Sequence, residues 1–185
     1  MFVNRRNPSG AGRHVGIDNL SAGAEVAEWF ANRGCRRVAL IHASLLSSAT
    51  AERAQGFRGR AGQLGLLLPP SRVVSAAVAD HLEIGHQAMG RLLSAATVPQ
   101  GVFCTSDLIA YGAQRRSASA GLLAGRDLHF VGFDDSPLNE WVAPWLNAVR
   151  VPYAEYGAAI VQALRGDKGD TVLPHRLVVR DAVAR

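Results

Sequence analysis

Segments whose apolar residues recur at helical spacing alternate along this chain with short runs of β-branched or other apolar residues. Three of these segments are closely followed by a glycine, namely Gly34, Gly65 and Gly121. Glycine suits the left-handed residue just past a helix end because it has no Cβ to clash. The helices predicted in this way are Leu20–Asn32, Ala49–Leu64, Glu83–Ser94, Asp107–Ala120 and Tyr153–Leu164.

The apolar runs between these segments predict strands. They are Val15–Ile17, Val38–Ile41, Arg72–Val74, Gly101–Cys104, Leu128–Val131, Ala148–Val151 and Leu177–Val179. Strands that alternate with helices form βαβ units, and their helices cover both faces of a parallel sheet. The sequence therefore predicts an α/β fold with parallel sheets.

The composition is that of a globular protein. Of the 185 residues, 48% are hydrophobic and 19% are charged, which excludes a disordered chain. Cys35 and Cys104 lie far apart and in no motif, which argues against a disulfide scaffold and a zinc site. No apolar run approaches the roughly 20 residues of a membrane helix, and no apolar segment follows the basic start as in a signal peptide. We therefore expect a cytoplasmic protein without a membrane partner.

The formal net charge of +5 raises the question of nucleic-acid binding. The basic residues are scattered along the chain, and Lys168 is the only lysine among them. They form no stripe with interleaved aromatic residues. The charge by itself therefore does not predict a nucleic-acid surface.

Polar residues follow three of the predicted strands, where open α/β sheets bind their ligands. They are His42–Ser44, Thr105–Asp107 and Asp134–Asp135. One interpretation is a polar pocket that also uses the unpaired N–H groups of the next helices. The other is that the serine and the aspartates are helix caps or turn residues, as these types commonly are. The pattern leaves both interpretations open.

Motifs for catalysis are absent from the sequence. It contains no Gly-x-Ser-x-Gly elbow and no phosphate loop ending in Gly-Lys-Ser or Gly-Lys-Thr. His81 and His86 are five positions apart, which is the wrong separation for two metal ligands on adjacent helical turns. The carboxylates of Asp134 and Asp135 suit acid–base chemistry, but the sequence places no nucleophile beside them. We therefore expect a protein that is not an enzyme and that needs no cofactor or metal ion.

Seven stretches of the chain, taken in order, carry a resemblance to a known family. They are His14–Asn19, Gly34–Ile41, Glu52–Phe57, Val102–Gly112, Val131–Asp135, Leu146–Pro152 and Leu173–Arg180. Each stretch alone is unspecific. The ordered set resembles the effector-binding region of the lac repressor/galactose repressor family of bacterial transcription regulators.

This resemblance implies two α/β lobes of the periplasmic-binding-protein type, with a small ligand held in the cleft between them. It implies a complete C-terminal lobe at 36–142 and 170–182 and the remnant of an N-terminal lobe at 1–35 and 143–169. Family members begin with a helix-turn-helix headpiece that is not found in this chain. We therefore expect operator DNA to be bound only through a headpiece outside it.

The resemblance also implies which residues contact the effector. Arg53 is the arginine of the Arg-x-x-Gly-Phe stretch, and Asp134 is the first aspartate of Phe-Asp-Asp. Ser106 stands where many members have an asparagine, and Asp80 where many have an aromatic residue that stacks on the ligand. Tyr153 is the candidate for an aromatic wall on the opposite side. These residues predict a small polar effector that resembles a sugar.

Two arguments predict a two-fold homodimer. Family members pair through positions that correspond to Leu82, Tyr111 and Trp141, which are large residues that a single lobe would expose. With part of one lobe absent, either Val15–Ile17 or Ala148–Val151 would lie at an open sheet edge, which invites another chain. The alternative is that the first residues of the chain cover this edge.

The main functional prediction is a ligand-sensing domain of a transcription regulator that acts by shifting an equilibrium of lobe closure. A stand-alone sugar-binding protein of the periplasmic type has the same fold, and a signal peptide would favour it. A sugar-modifying α/β enzyme would need a nucleophile or metal ligands at the strand ends, where the sequence shows none.

Overall fold

The computed structural model describes residues 1–7, 9, 12–43, 47–166 and 169–180. In these ranges the helices are α1 (Asn19–Asn32), α2 (Ser48–Gln63), α3 (His81–Leu93), α4 (Asp107–Ser119), α5 (Asn139–Val142) and α6 (Tyr153–Arg165). The strands are β1 (Phe2–Val3), β2 (His14–Ile17), β3 (Val38–Ile41), β4 (Val73–Val74), β5 (Gly101–Cys104), β6 (His129–Asp134), β7 (Asn147–Arg150), β8 (Thr171–Leu173) and β9 (Arg176–Val178).

Two sheets organise these elements. The larger sheet has six strands in the order β4-β3-β5-β6-β7-β9, and all of its pairs are parallel except the antiparallel pair of β7 with β9. The smaller sheet has three parallel strands in the order β1-β2-β8. The predicted α/β fold with parallel sheets is confirmed.

Three helices are followed by a glycine in the left-handed conformation, as the sequence predicts. The backbone φ angles of Gly34, Gly65 and Gly121 are +78°, +67° and +78°, so each of these glycines adopts the left-handed conformation expected after a helix. Of the predicted helices, none is displaced by more than two residues at either end. A chain reversal after each of these helices then returns the backbone to the sheet.

The larger sheet has an apolar core on each of its faces. The alternation of β3 shows this, because Val38 and Leu40 join the cluster under α1 and α2, while Ala39 and Ile41 join the cluster under α3 and α4. The first cluster extends to Val15 and Ile17 in β2 and to residues of α6. The smaller sheet and the larger sheet therefore share one continuous core.

The strand pairing corrects the predicted lobe boundaries. Strand β7, expected in the N-terminal remnant at 143–169, pairs with β6 and β9 in the larger sheet. Strand β8, expected with the C-terminal lobe at 170–182, pairs with β2 in the smaller sheet. Helix α1, expected in the remnant at 1–35, packs against α2 beside the larger sheet. Residues 181 and 182 lie outside the described residues.

These boundaries are hard to see in the sequence because each crossing between the sheets is very short. Asp18 alone separates β2 from α1, and Val151 and Pro152 separate β7 from α6. The crossing from β8 to β9 uses only Pro174 and His175. No polar linker or change of composition marks any of the three crossings.

The expected open edges are also corrected. Strand β2 has neighbours on both sides, β1 and β8, and strand β7 lies between β6 and β9. Residues Phe2 and Val3 pair with His14 and Val15, so the first residues cover β2 as in the alternative interpretation. The edges of the smaller sheet are therefore formed by β1 and β8.

Candidate functional site

A cavity of ≈ 560 Å³ lies where the smaller sheet meets the starts of α2 and α3. It is lined by Phe2, Arg5, Arg6, Ala43, Ser47, Ser48, Thr50, Val78, Ala79, His81 and Ile84. The first three of these residues come directly from β1 and the turn after it, and the others belong to the larger lobe. The larger lobe is the six-stranded sheet with α1 to α5, and the smaller lobe is the three-stranded sheet with α6. The cavity is therefore a cleft between the two lobes. Ser44, named with this strand end from the sequence, lies outside the described residues.

Helix α2 carries Arg53 to the carboxyl end of the larger sheet. Its Nε donates a hydrogen bond to Oδ1 of Asn19 at 2.8 Å, and its Nη1 donates to the carbonyl oxygen of Thr105 at 3.0 Å. The close approach of α1 and α2 that brings Asn19 here requires Gly56, where a Cβ would clash with the carbonyl oxygen of Leu20. Arg53 is thus held in one orientation.

Burial dominates the electrostatics of Arg53. The residue is only 5% exposed, and burial lowers the pKa of its guanidinium, while the nearby carboxylate of Asp134 acts in the opposite direction. The group stays protonated, as arginine does in proteins. Within the described part of the chain, Nη2 has no hydrogen-bond partner. One side of the guanidinium is therefore available to a ligand.

Asp134 stands at the end of β6 with an unusual backbone. Its φ is +105°, and that of Asp135 is +54°, a conformation that L residues rarely adopt and that is concentrated at functional sites. One carboxylate oxygen, Oδ1, accepts a hydrogen bond from the hydroxyl of Tyr153 at 2.8 Å. Burial raises the pKa of Asp134, against the influence of Arg53, Tyr153 and His81. No ion pair joins Arg53 and Asp134, although both are described and each acts on the pKa of the other.

Ser106 caps a helix and also contacts a residue that lines the cleft. Its Oγ accepts a hydrogen bond from the backbone N–H of Ile109 at 3.4 Å and so caps α4. The same Oγ lies 3.1 Å from Nδ1 of His81, one of the residues that line the cleft. The capping interpretation of Ser106 is confirmed, and the residue also reaches the cleft through His81.

Asp80 is the N-cap of α3. Its Oδ1 accepts hydrogen bonds from the backbone N–H groups of Leu82 at 2.7 Å and Glu83 at 3.1 Å. Its next neighbour in the chain, His81, lines the cleft. One oxygen of Asp80 therefore caps α3. The residue lies between Ala79 and His81, which both line the cleft.

Of the predicted ligand-binding residues, Asp134 is hydrogen-bonded to Tyr153 and lies near Arg53, while Ser106 and Asp80 lie toward the cleft. Arg53 and Asp134 line neither the cleft nor a second cavity of ≈ 740 Å³ that Tyr153 lines. The Tyr153 hydroxyl, which donates to Asp134, connects Asp134 to the second cavity.

A second polar network lies next to Asp134. Asp107 accepts hydrogen bonds at Oδ2 from the Ser136 backbone N–H at 2.7 Å and from Asn139 Nδ2 at 3.0 Å. Burial raises the pKa of Asp107 to about 7. In the described residues its other oxygen, Oδ1, has no hydrogen-bond partner. The carboxyl group of Asp107 is therefore harder to ionise than that of an exposed aspartate.

Asp135 belongs to the same network, but its pKa shifts in the opposite direction. Its carboxylate lies 2.5 Å from Nε of Arg150 and 2.9 Å from Nη1 of Arg180. Burial alone would raise the pKa of Asp135, but hydrogen bonds from Arg150, Arg180 and Asn139 lower it below its ordinary value. Asp135 therefore joins β6, β7 and the segment after β9 and is not available to a ligand.

Sequence reasoning missed several residues of this site. Asn19 orients Arg53, Phe133 supports its guanidinium, and His81 connects Ser106 to the cleft. Asn19 and Arg6 follow β2 and β1 closely, so the strand-end argument already used for three other strands also points to them. No group of three or more His, Cys, Asp and Glu side chains that could hold a metal ion occurs among the residues that the structure describes.

The three residues predicted at a dimer interface differ in exposure. Trp141 is 85% exposed and Leu82 is 45% exposed. Tyr111 is half-buried, and its hydroxyl donates a hydrogen bond of 2.5 Å to Oδ1 of Asn139 at the start of α5. In the described ranges, no helix is long and apolar enough to cross a membrane.

Comparison with known proteins agrees with this architecture. Residues 27–185 match the family described as periplasmic binding protein-like domain. The chain is 29% identical over 151 residues to the ribose operon repressor of Haemophilus influenzae, a match that covers 80% of this chain and 44% of that protein. It is 29% identical over 143 residues to the HTH-type transcriptional repressor CytR of Escherichia coli, with 77% and 41% covered.

A solved structure of a LacI-family regulatory protein from Chloroflexus aggregans has the same fold. Its TM-score with this chain is 0.84 at 27% identity, over 97% of this chain and 67% of that one. The chain spans less than half the length of the two curated relatives. These similarities confirm the resemblance to this family of regulators that the ordered stretches predicted.

Proposed function

The chain belongs to the periplasmic binding protein-like domain family, and from this premise we propose that it is the effector-sensing domain of a bacterial transcription regulator. Its effector is a small polar molecule that resembles a sugar. The relatives named above are repressors, which favours this function over a stand-alone sugar-binding protein. A cytoplasmic location, a homodimer and the absence of catalysis are parts of the same proposal.

The observation that carries this proposal is the unpaired charge of Arg53 and Asp134. Both side chains lie at the carboxyl ends of parallel strands, and they influence each other without forming an ion pair. A guanidinium donates to vicinal oxygens, and a carboxylate accepts from hydroxyl groups. A sugar presents both kinds of group on neighbouring carbons, so it satisfies the two residues together. The name of the relative that is a ribose operon repressor agrees with this class of ligand.

The proposed mechanism is a change in the arrangement of the two lobes. Arg53 and Asp134 belong to the larger lobe, while Tyr153 begins α6, which packs on β2 and β8 of the smaller lobe. Because Arg53 is nearly covered, the effector enters when the lobes part and is enclosed when they come together. A ligand that bonds both lobes stabilises the closed arrangement over the open one. Operator DNA is contacted through a headpiece outside this chain, which reads the lobe arrangement.

Isothermal titration of the 185-residue chain with a panel of pentoses, hexoses and hexuronic acids, including D-ribose, tests the proposal. We expect saturable binding of at least one sugar. Arg53→Ala and Asp134→Ala should each weaken it by about 1.5–3 kcal/mol, the range for hydrogen bonds to charged groups. Arg58→Ala is the matched control, since Arg58 is an exposed arginine on the same helix. Binding by no sugar, or unchanged affinity in both site variants, would overturn the proposal.

A further inference from the structure

Arg6 is bonded to both lobes. Its Nη1 lies 2.5 Å from Oδ2 of Asp170, and the other oxygen of Asp170 accepts a hydrogen bond of 2.9 Å from the His14 backbone N–H, so this contact belongs to the smaller lobe. On the other side, the backbone N–H of Arg6 donates to Oγ of Ser48 at 2.7 Å, and its Nε lies 3.5 Å from Oε1 of Glu52. Ser48 and Glu52 lie one turn apart on α2.

The contacts continue from Glu52 to Arg53 through Asn19. Oε2 of Glu52 lies 3.5 Å from Nδ2 of Asn19, whose Oδ1 accepts the 2.8 Å hydrogen bond from Nε of Arg53. Asn19 is 1% exposed, so water does not compete for its amide. The carboxylate of Glu52 attracts the NH₂ group of the amide and so turns its oxygen toward Arg53. A flipped amide would present NH₂ donors to the Arg53 donor.

The carboxylate that orients Asn19 is itself held by Arg6. Arg53 also experiences the charge of Glu52, so the carboxylate lies between two arginines of different lobes. The side chains of Arg6 and Glu52 are 42% and 27% exposed, and ion pairs of this kind contribute little to the stability of a fold. The effect of Arg6 is therefore expected in the orientation of the site rather than in the unfolding of the chain.

We propose that Arg6 is a positioning residue for Arg53, acting through Glu52 and Asn19. In this arrangement the smaller lobe, resting on α2, fixes the arginine that binds the effector. Separation of the lobes breaks the contacts of Arg6 with Ser48 and Glu52 and leaves the Asn19 amide free to turn. The role of Arg6 in effector binding rests on the proposed function, but the positioning of Arg53 by Arg6 is a property of the ligand-free chain.

Arg5 provides a matched control. It is the neighbouring residue, it carries the same side chain, and it lines the same cleft. Within the described residues it makes no hydrogen bond or ion pair. Any effect that follows from lost positive charge in the cleft alone should appear equally in Arg5→Gln and Arg6→Gln.

Proton exchange of the Arg53 Nε–H, followed by ¹⁵N NMR on the ligand-free chain, tests the proposal. The resonance is assigned by its loss in Arg53→Lys. We expect Arg6→Gln to speed its exchange about tenfold, as for one lost hydrogen bond to a charged group, while Arg5→Gln leaves it unchanged. Glu52→Ala should give the same acceleration, and adding Arg6→Gln to Glu52→Ala should give no more.

The backbone N–H of Leu146, a buried residue of the opposite core that donates to the carbonyl oxygen of Ala143 at 2.9 Å, reports any general loosening of the fold. Exchange of this group should be the same in all variants. If Arg6→Gln leaves the Arg53 exchange unchanged, or speeds both groups equally, Arg6 is not a positioning residue. The measurement contains no sugar, so failure of the sugar titrations would leave its result intact, and the reverse also holds.

Discussion

The guanidinium of Arg53 lies over the ring of Phe133, 3.5 Å from the ring centroid, and both side chains are buried. A desolvated contact between a cation and an aromatic face contributes about 2 kcal/mol. Phe133 directly precedes Asp134, so the end of β6 supports the arginine with one residue and supplies the opposing charge with the next. The position of Arg53 is thus fixed from below by a ring and from the sides by Asn19 and Thr105.

Replacing this ring should affect binding as well as stability. We expect Phe133→Leu to lower the free energy of unfolding by about 1–3 kcal/mol through lost burial and the cavity left behind, and to weaken sugar binding as well. Phe103→Leu is the control, because Phe103 is equally buried but its ring contacts Phe57 and Phe133 and not the guanidinium. Urea unfolding and titration calorimetry should show similar stability losses and an affinity loss confined to Phe133→Leu. Equal affinities in the two variants would contradict the role of the ring.

The two neighbouring tyrosines should respond differently to loss of their hydroxyl groups. Tyr153 donates to Asp134, whereas the buried hydroxyl of Tyr156 has no hydrogen-bond partner in the described residues. We expect Tyr153→Phe to weaken sugar binding by about 0.5–1.5 kcal/mol, the net value of one hydrogen bond. Tyr156→Phe should leave binding unchanged and keep or raise the melting temperature, since it removes an unsatisfied buried group. A loss of affinity in Tyr156→Phe alone would show that the wrong tyrosine has been assigned.

The raised pKa of Asp107 predicts how stability depends on pH. Burial raises this pKa from its ordinary value of 3.8 to about 7, so the folded chain binds this proton more tightly than the unfolded chain does. The carboxyl group therefore destabilises the fold progressively as the pH rises from about 4 to about 7, by about 1.4 kcal/mol for each unit of pKa difference. The contribution is constant below and above this range.

The variant Asp107→Asn isolates this effect. The difference in unfolding free energy between Asp107→Asn and the wild type should increase with pH across that range and then level off. Asp127→Asn is the control with the opposite sign, because hydrogen bonding to Arg126 lowers the pKa of this exposed aspartate. Its difference from the wild type should be constant between about pH 4 and about pH 7 and should change only below about pH 4. Urea unfolding at a series of pH values measures both differences. A difference for Asp107→Asn that does not vary with pH would show that the carboxyl is ionised throughout.

Local sequence patterns were sufficient for the helices and for most strands. The apolar run Val38–Ile41 was correctly predicted as a strand, and Gly34 and Gly65 were correctly predicted to follow helix ends. Local patterns did not predict strands β1 and β8 or the short helix α5. Thr171–Leu173 has only three residues, and its pairing with β2 depends on a partner more than 150 positions away, which no local pattern contains.

The sequence was sufficient to locate candidate residues at strand ends, but not to predict the contacts between their side chains. Asp134 and Ser106 follow strands, so they could be named from the rule that ligands bind at carboxyl ends. The orientation of Arg53 could not, because it depends on Asn19 from α1 and on Phe133 beneath the guanidinium. These residues come from three distant parts of the chain that meet only in the folded state.

Several large apolar side chains on and near α5 are exposed. Trp141 is 85% exposed, and Leu138, Val142 and Leu82 are 57%, 61% and 45% exposed. Asn139 anchors this segment from inside, through Tyr111 and Asp107, so the apolar side chains are held outward rather than folded back. Exposed apolar groups of this size mark interaction surfaces in soluble proteins.

We expect the chain to form a dimer through this surface and Trp141→Glu to convert it to a monomer. A stable interface buries more than about 1,000 Å² in total, and a buried glutamate without a partner would cost more than the contact contributes. Leu164→Glu is the control, because Leu164 is an exposed leucine of α6 on the smaller lobe and is 65% exposed. Sedimentation equilibrium over a concentration series should give a dimer for the wild type and for Leu164→Glu. A wild-type chain that stays at its monomer mass of 19.7 kDa at every concentration would contradict the dimer. A dimer that persists in Trp141→Glu would show that the interface lies elsewhere, at the strand edges of the smaller sheet.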